Sequence, residues 1–133
     1  MNPGTLVLLV GIAYLVIGLA FGALAGAAAT HQGLVMWRLA AWVASGVVYA
    51  AHIGYLRLRV GRSTASTAWQ AALGAALGAL GLAIVGPVRV ALGGGHHGLA
   101  WVLALVLWPL ITGVPAFLVA YAAAALVARL ARQ

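Results

Sequence analysis

With 133 residues, 66% of them hydrophobic, and a mean hydropathy of +1.16, this chain has too little polar surface to cover a water-soluble core. Its formal charge of +7 comes from seven arginines, with no lysine, aspartate or glutamate, so paired-carboxylate catalysis, a Ser-His-Asp triad and carboxylate metal sites are excluded. The chain also lacks cysteine, which removes disulfides, thiolate metal sites and thiol catalysis.

Lipid is therefore the expected solvent. The pattern predicts an all-α integral membrane protein: one domain of four transmembrane helices in an antiparallel bundle, spanning residues 5–28, 34–56, 68–92 and 99–127. The first apolar run is longer than a signal-peptide core, and Met1-Asn2-Pro3-Gly4 carries no basic side chain, so it reads as a span and not a cleaved leader. Gly18, Gly22 and Gly26 recur every fourth residue, with Gly11 on the same face one heptad earlier. Small residues at this spacing let another helix backbone approach closely.

Thr30-His31-Gln32-Gly33 reads as a short polar connection to the second span. Trp37 and Arg38 stand near the start of that span, where an indole and a snorkelling guanidinium both suit an interface. Tyr49, His52 and Tyr55 lie towards its far end. Then comes the only dense cluster of charge, Arg57-Leu58-Arg59-Val60-Gly61-Arg62. Basic loops beside spans stay on the cytoplasmic side. Arg57, Arg59 and Arg62 thus set the topology, with both termini inside and Arg129 and Arg132 agreeing.

Ser63-Thr64-Ala65-Ser66-Thr67 offers helix N-caps for the third span. That span carries Gly74, Gly78 and Gly81 and is the expected mate of the first. Gly86-Pro87 is expected to interrupt it near the outer end. Gly93-Gly94-Gly95-His96-His97-Gly98 forms the outer turn, and Pro109 and Pro115 predict a kinked fourth helix. Neighbouring helices or Thr112 are expected to satisfy the carbonyls they free. His31-Gln32-Gly33-Leu34 and His96-His97-Gly98-Leu99 make a faint internal echo across the two outer turns.

Few residues here carry chemistry. His31, His96 and His97 share the outer side, where imidazoles bind zinc, copper or nickel, but no carboxylate is present to orient them. The plainer reading makes them polar loop residues. His52 lies within a span, and intramembrane ionisable residues carry functional hypotheses by default. It offers one axial ligand to a haem or chlorophyll-type pigment, or simply reaches the interface from a turn away. Arg38 and Arg89 could together attract an anion or a partner; snorkelling to phosphate headgroups explains them equally simply.

The leading functional expectation is an accessory or structural subunit of a larger respiratory, photosynthetic or transport complex in the bacterial cytoplasmic (inner) membrane. Arginines with no internal carboxylate suit anionic lipids and acidic partner subunits, or a homo-oligomer. One alternative is a small oligomeric transporter or channel for an anion or neutral solute. A second is a haem or pigment carrier through His52. No nucleophile–base cluster suggests an enzyme, no resident cofactor is expected, and no basic face suits nucleic acid.

Overall fold

The computed structural model describes residues 2–93 and 98–131. These fold into four helices: α1 (Pro3–Gly26), α2 (His31–Gly54), α3 (Thr64–Leu92) and α4 (Leu99–Leu130). All four are long and apolar enough to cross a membrane.

Side chains define where three of the helices start. The Asn2 side chain accepts from the Gly4 N–H at 3.1 Å, Thr30 Oγ1 from Gly33 at 3.0 Å, and Ser63 Oγ from Ser66 at 3.2 Å. The Thr30 cap shortens the polar connection read from the sequence. His31, Gln32 and Gly33 already belong to α2, because a capped N-terminus needs no longer loop.

The basic stretch does not form an open loop either. Gly54 passes directly into a single π-helical turn, Tyr55–Arg59, in which the Val60 N–H reaches the Tyr55 carbonyl at 3.2 Å. Gly61, at φ +68°, then reverses the chain, and the Arg62 N–H returns to the Leu56 carbonyl at 3.0 Å. Arg57 seals the reversal by donating from a guanidinium nitrogen to the Arg62 carbonyl.

Two expectations around the prolines need correction, the interruption of α3 and the role of Thr112. α3 is not interrupted at Gly86-Pro87; it runs on to Leu92. Proline removes one backbone donor, and one lost bond near a helix end does not stop a long apolar helix. α4 likewise continues as α-helix through Pro109 and Pro115. Thr112 Oγ1 donates to the Trp108 carbonyl at 2.9 Å. The carbonyls that the prolines leave free are those four residues back, Leu105 and Ile111, so Thr112 satisfies neither.

The helices are arranged α2–α1–α3–α4, with α3 holding both α1 and α4. Val10 meets Gly74, Tyr14 meets Gly78, Leu15 meets Gly81 and Gly18 meets Leu82. Numbers rise together along this seam, so α1 and α3 run parallel. Gly86 meets Trp101 and Gly113 meets Ala76, so α3 and α4 run antiparallel. The closest approach is at Gly78. A Cβ there would stand 2.5 Å from the Tyr14 Cβ and 3.2 Å from the Gly11 carbonyl oxygen, and only glycine fits.

The buried core is small and made largely of small residues. Ala68, Ala71, Ala120 and Ala124 close around Ile53, with Tyr49, Phe117 and Ala123 packed against them. Large apolar side chains face outwards instead: Trp42 is 78% exposed and Leu92 85%. Inverted burial of this kind suits helices whose surroundings are as apolar as their side chains. α2 touches α4 mainly towards the basic end, where the Tyr49 hydroxyl donates to the Ala116 carbonyl. The bundle is thus closed near its basic end and open between α2 and α4 further along.

Candidate functional site

The opening between α2 and α4 is a cavity of about 670 Å³ at mid-helix depth. All four helices contribute to it. Tyr14 and Gly18 come from α1, Trp42, Ser45 and Tyr49 from α2, Gly78 and Leu82 from α3, and Trp108 and Thr112 from α4. Its volume falls in the range of small-molecule sites, roughly 300–1,000 Å³. A second cavity of about 320 Å³ lies between α3 and α4 against Gly86 and Trp101. Leu82 and Trp108 line both, so the two adjoin along one furrow with these side chains between them.

The site is built from the sequence upwards. Glycines on α1 and α3 bring those helices close enough to form its floor. Gly46 on α2 has nothing within 4 Å of where a Cβ would stand, which leaves the wall hollow there. Trp42, Tyr49 and Trp108 supply aromatic surface. No lining residue is charged. The polar groups are the hydroxyls of Ser45, Thr112, Tyr14 and Tyr49 and the indole N–H groups of Trp42 and Trp108. Tyr49 and Thr112 already donate to backbone carbonyls. The Tyr14 hydroxyl is buried and has no hydrogen-bond partner among the described residues. Buried hydroxyls are almost always paired, so this orphan is unusual, but it is covered by the protein and offers no surface to the cavity.

The residues singled out from the sequence sit elsewhere. His52 is 4% exposed, both ring nitrogens lack a partner among the described residues, and it lines neither cavity. It is packed at the basic end and does not reach out to the surface, because Ile53 and Leu56 bring that stretch of α2 into the core. Thr67, the nearby buried polar side chain of α3, is fully covered and its hydroxyl is equally unpartnered. His31 is exposed in the first turn of α2, and His96 and His97 lie outside the described residues. Among the described residues no group of three metal-ligating side chains forms.

Arg38 and Arg89 are both exposed, near the ends of α2 and α3 opposite the basic stretch, and neither lines a cavity. Arg59 is exposed, while Arg57 and Arg62 are half-buried in the reversal they close. Of the glycines, Gly11, Gly18, Gly74 and Gly78 lie in the α1–α3 seam. Gly22 and Gly26 do not: nothing stands within 4 Å of either missing Cβ, and both are exposed.

Sequence reasoning missed Tyr14, Trp42 and Trp108. A signal was present: aromatic rings with a polar handle favour the ends of spans, and these three fall in mid-span. No protein family, curated protein or solved structure was found to match this chain.

Proposed function

We propose that this chain is a non-catalytic, four-span subunit of the bacterial cytoplasmic membrane that associates in the bilayer plane with other membrane proteins. In this reading the Arg57–Arg62 reversal and both termini face the cytoplasm, and α4 bends at Pro109 and Pro115. The observation that carries the proposal is the divided glycine face of α1. Gly11 and Gly18 are taken up by α3, whereas Gly22 and Gly26, one turn apart, present a smooth and unoccupied surface. Helices associate in lipid through close backbone approach, and such a surface invites another helix. The arginines support the same reading. With no carboxylate side chain in the chain, the exposed Arg38, Arg59 and Arg89 take their counter-charge from anionic headgroups or from acidic partner subunits.

The test uses Gly22→Ile. Gly22 is exposed and nothing stands within 4 Å of where its Cβ would be, so the added side chain starts into open space and not into the bundle. Tagged wild-type and variant chains are extracted from their native membrane in mild detergent and sized. The wild type should run in a hetero-complex of defined composition that Gly22→Ile loses, while the variant's monomer stays folded. A wild-type chain that runs alone, or only with copies of itself, defeats the proposal.

A further inference from the structure

The end at which α2 is held to α4 is also the end where charge of one sign collects. Tyr49 donates to the Ala116 carbonyl, and Ala120 and Ala124 close around Ile53. Numbers rise together along this contact, so α2 and α4 run parallel and finish at the same end of the bundle. α2 passes into the Arg57–Arg62 reversal, whose π-helical turn packs against α3 and α4, and α4 carries Arg129 in its last turn. Arg59 and Arg129 are exposed there, and Arg57 and Arg62 are half-buried. Like charges gathered at one end repel, and the chain has no aspartate or glutamate to offset them. The α2–α4 junction therefore closes against its own electrostatics, and the balancing anion comes from outside the chain.

The surroundings of these guanidiniums decide which anion fits. Tyr55, Leu58 and Val60 are exposed among the arginines of the reversal. Further along the helices, the Trp69 and Phe117 ring centroids lie 5.1 Å apart and those of Phe117 and Tyr121 6.2 Å apart. Trp69 and Tyr121 are exposed, so this aromatic row from α3 to α4 faces outwards beside the basic end. Guanidiniums flanked by exposed aliphatic and aromatic side chains match a phospholipid, whose phosphate and hydrocarbon are covalently joined. A free phosphate leaves the apolar flank uncovered. The open glycines Gly22 and Gly26, which would draw another helix, lie at the opposite end of the bundle.

We infer that an anionic phospholipid clamps α2 to α4 at the basic end. Its phosphate bridges the arginines of the reversal and Arg129, and its acyl chains lie against Trp69, Phe117 and Tyr121. Such a clamp rests on the four-span placement proposed above and needs no protein partner.

The experiment places the full chain in nanodiscs of phosphatidylcholine alone, or with a quarter of the lipid replaced by phosphatidylglycerol, and measures the thermal unfolding midpoint in each. Phosphatidylglycerol should raise the midpoint by several degrees, and less so at high salt. The double variant Arg59→Gln, Arg129→Gln changes two exposed side chains and should lose most of that rise. Arg38→Gln with Arg89→Gln, at the opposite end, should keep it. Spin labels on Leu58→Cys and Leu130→Cys, exposed neighbours of the same arginines, should come closer together when phosphatidylglycerol is present. Inorganic phosphate added to the phosphatidylcholine discs should reproduce neither change. Equal midpoints in the two bilayers, a rise that survives Arg59→Gln with Arg129→Gln, or the full effect from inorganic phosphate would each overturn the inference. The outcome is separate from that of the co-purification: a chain that holds a partner but shows no rise loses the clamp, and a chain without a partner that shows the rise keeps it.

Discussion

Gly78 shows how one missing methyl group sets the geometry. Its Cα lies where the Tyr14 Cβ and the Gly11 carbonyl converge, and both neighbours are backbone or rigidly attached to it. Gly78→Ala gains about 1 kcal/mol of helix propensity but overpacks a close backbone contact, which costs about 1–3 kcal/mol. The α1–α3 seam should therefore weaken by up to about 2 kcal/mol net, read as a lower midpoint in reversible unfolding from mixed micelles. A variant as stable as the wild type would mean that the seam has slack that the geometry denies. His52 and Thr67 show the opposite case, buried polar groups whose nitrogens and hydroxyl have no partner among the described residues. His52 drew attention in the sequence as the ionisable residue within a span. What could not be read there was that α2 turns it inwards beside Ile53, because burial depends on which helix covers which face.

Among the elements, α2 is the least anchored. α1 and α4 hold α3 along long seams, whereas α2 meets α4 chiefly where Tyr49 donates to the Ala116 carbonyl. Tyr49→Phe keeps the ring and removes that single bond. It should lower stability by about 1 kcal/mol, the usual net worth of a hydrogen bond between membrane helices. It should also widen the furrow, read as a longer distance between spin labels on residues 45 and 119. An unchanged distance would show that Ile53, Ala120 and Ala124 hold the two helices without the latch. The helices themselves were legible in the sequence, since apolar runs of this length and composition leave little choice. The spacing of Gly11, Gly18, Gly74 and Gly78 also pointed to the first and third spans as mates. The π-turn at Tyr55–Arg59 was not legible, because it depends on how Arg57 and Gly61 close the reversal and not on residue type. The furrow was hidden for a related reason. It is a gap between α2 and α4, and periodicity describes faces that meet, not faces that stand apart.

For the whole molecule, everything rests on an inside-out distribution of side chains. Alanine and glycine fill the centre, while Trp42, Leu92, Leu99 and Ile111 lie outside. Such an exterior is costly in water and neutral in lipid, and in the proposed topology the arginines gathered at one end set the direction of insertion. The proposed partner surface at Gly22 and Gly26 and the sideways-opening furrow both acquire meaning only inside a bilayer. Because the chain has no cysteine, a single Val60→Cys creates its only thiol, on an exposed residue of the basic reversal. Labelling that thiol with a membrane-impermeant maleimide, in right-side-out and inverted membrane vesicles, examines insertion and direction together. Reaction in inverted vesicles only is the expected result; reaction from the periplasmic face, or recovery of the protein in the soluble fraction, would contradict it.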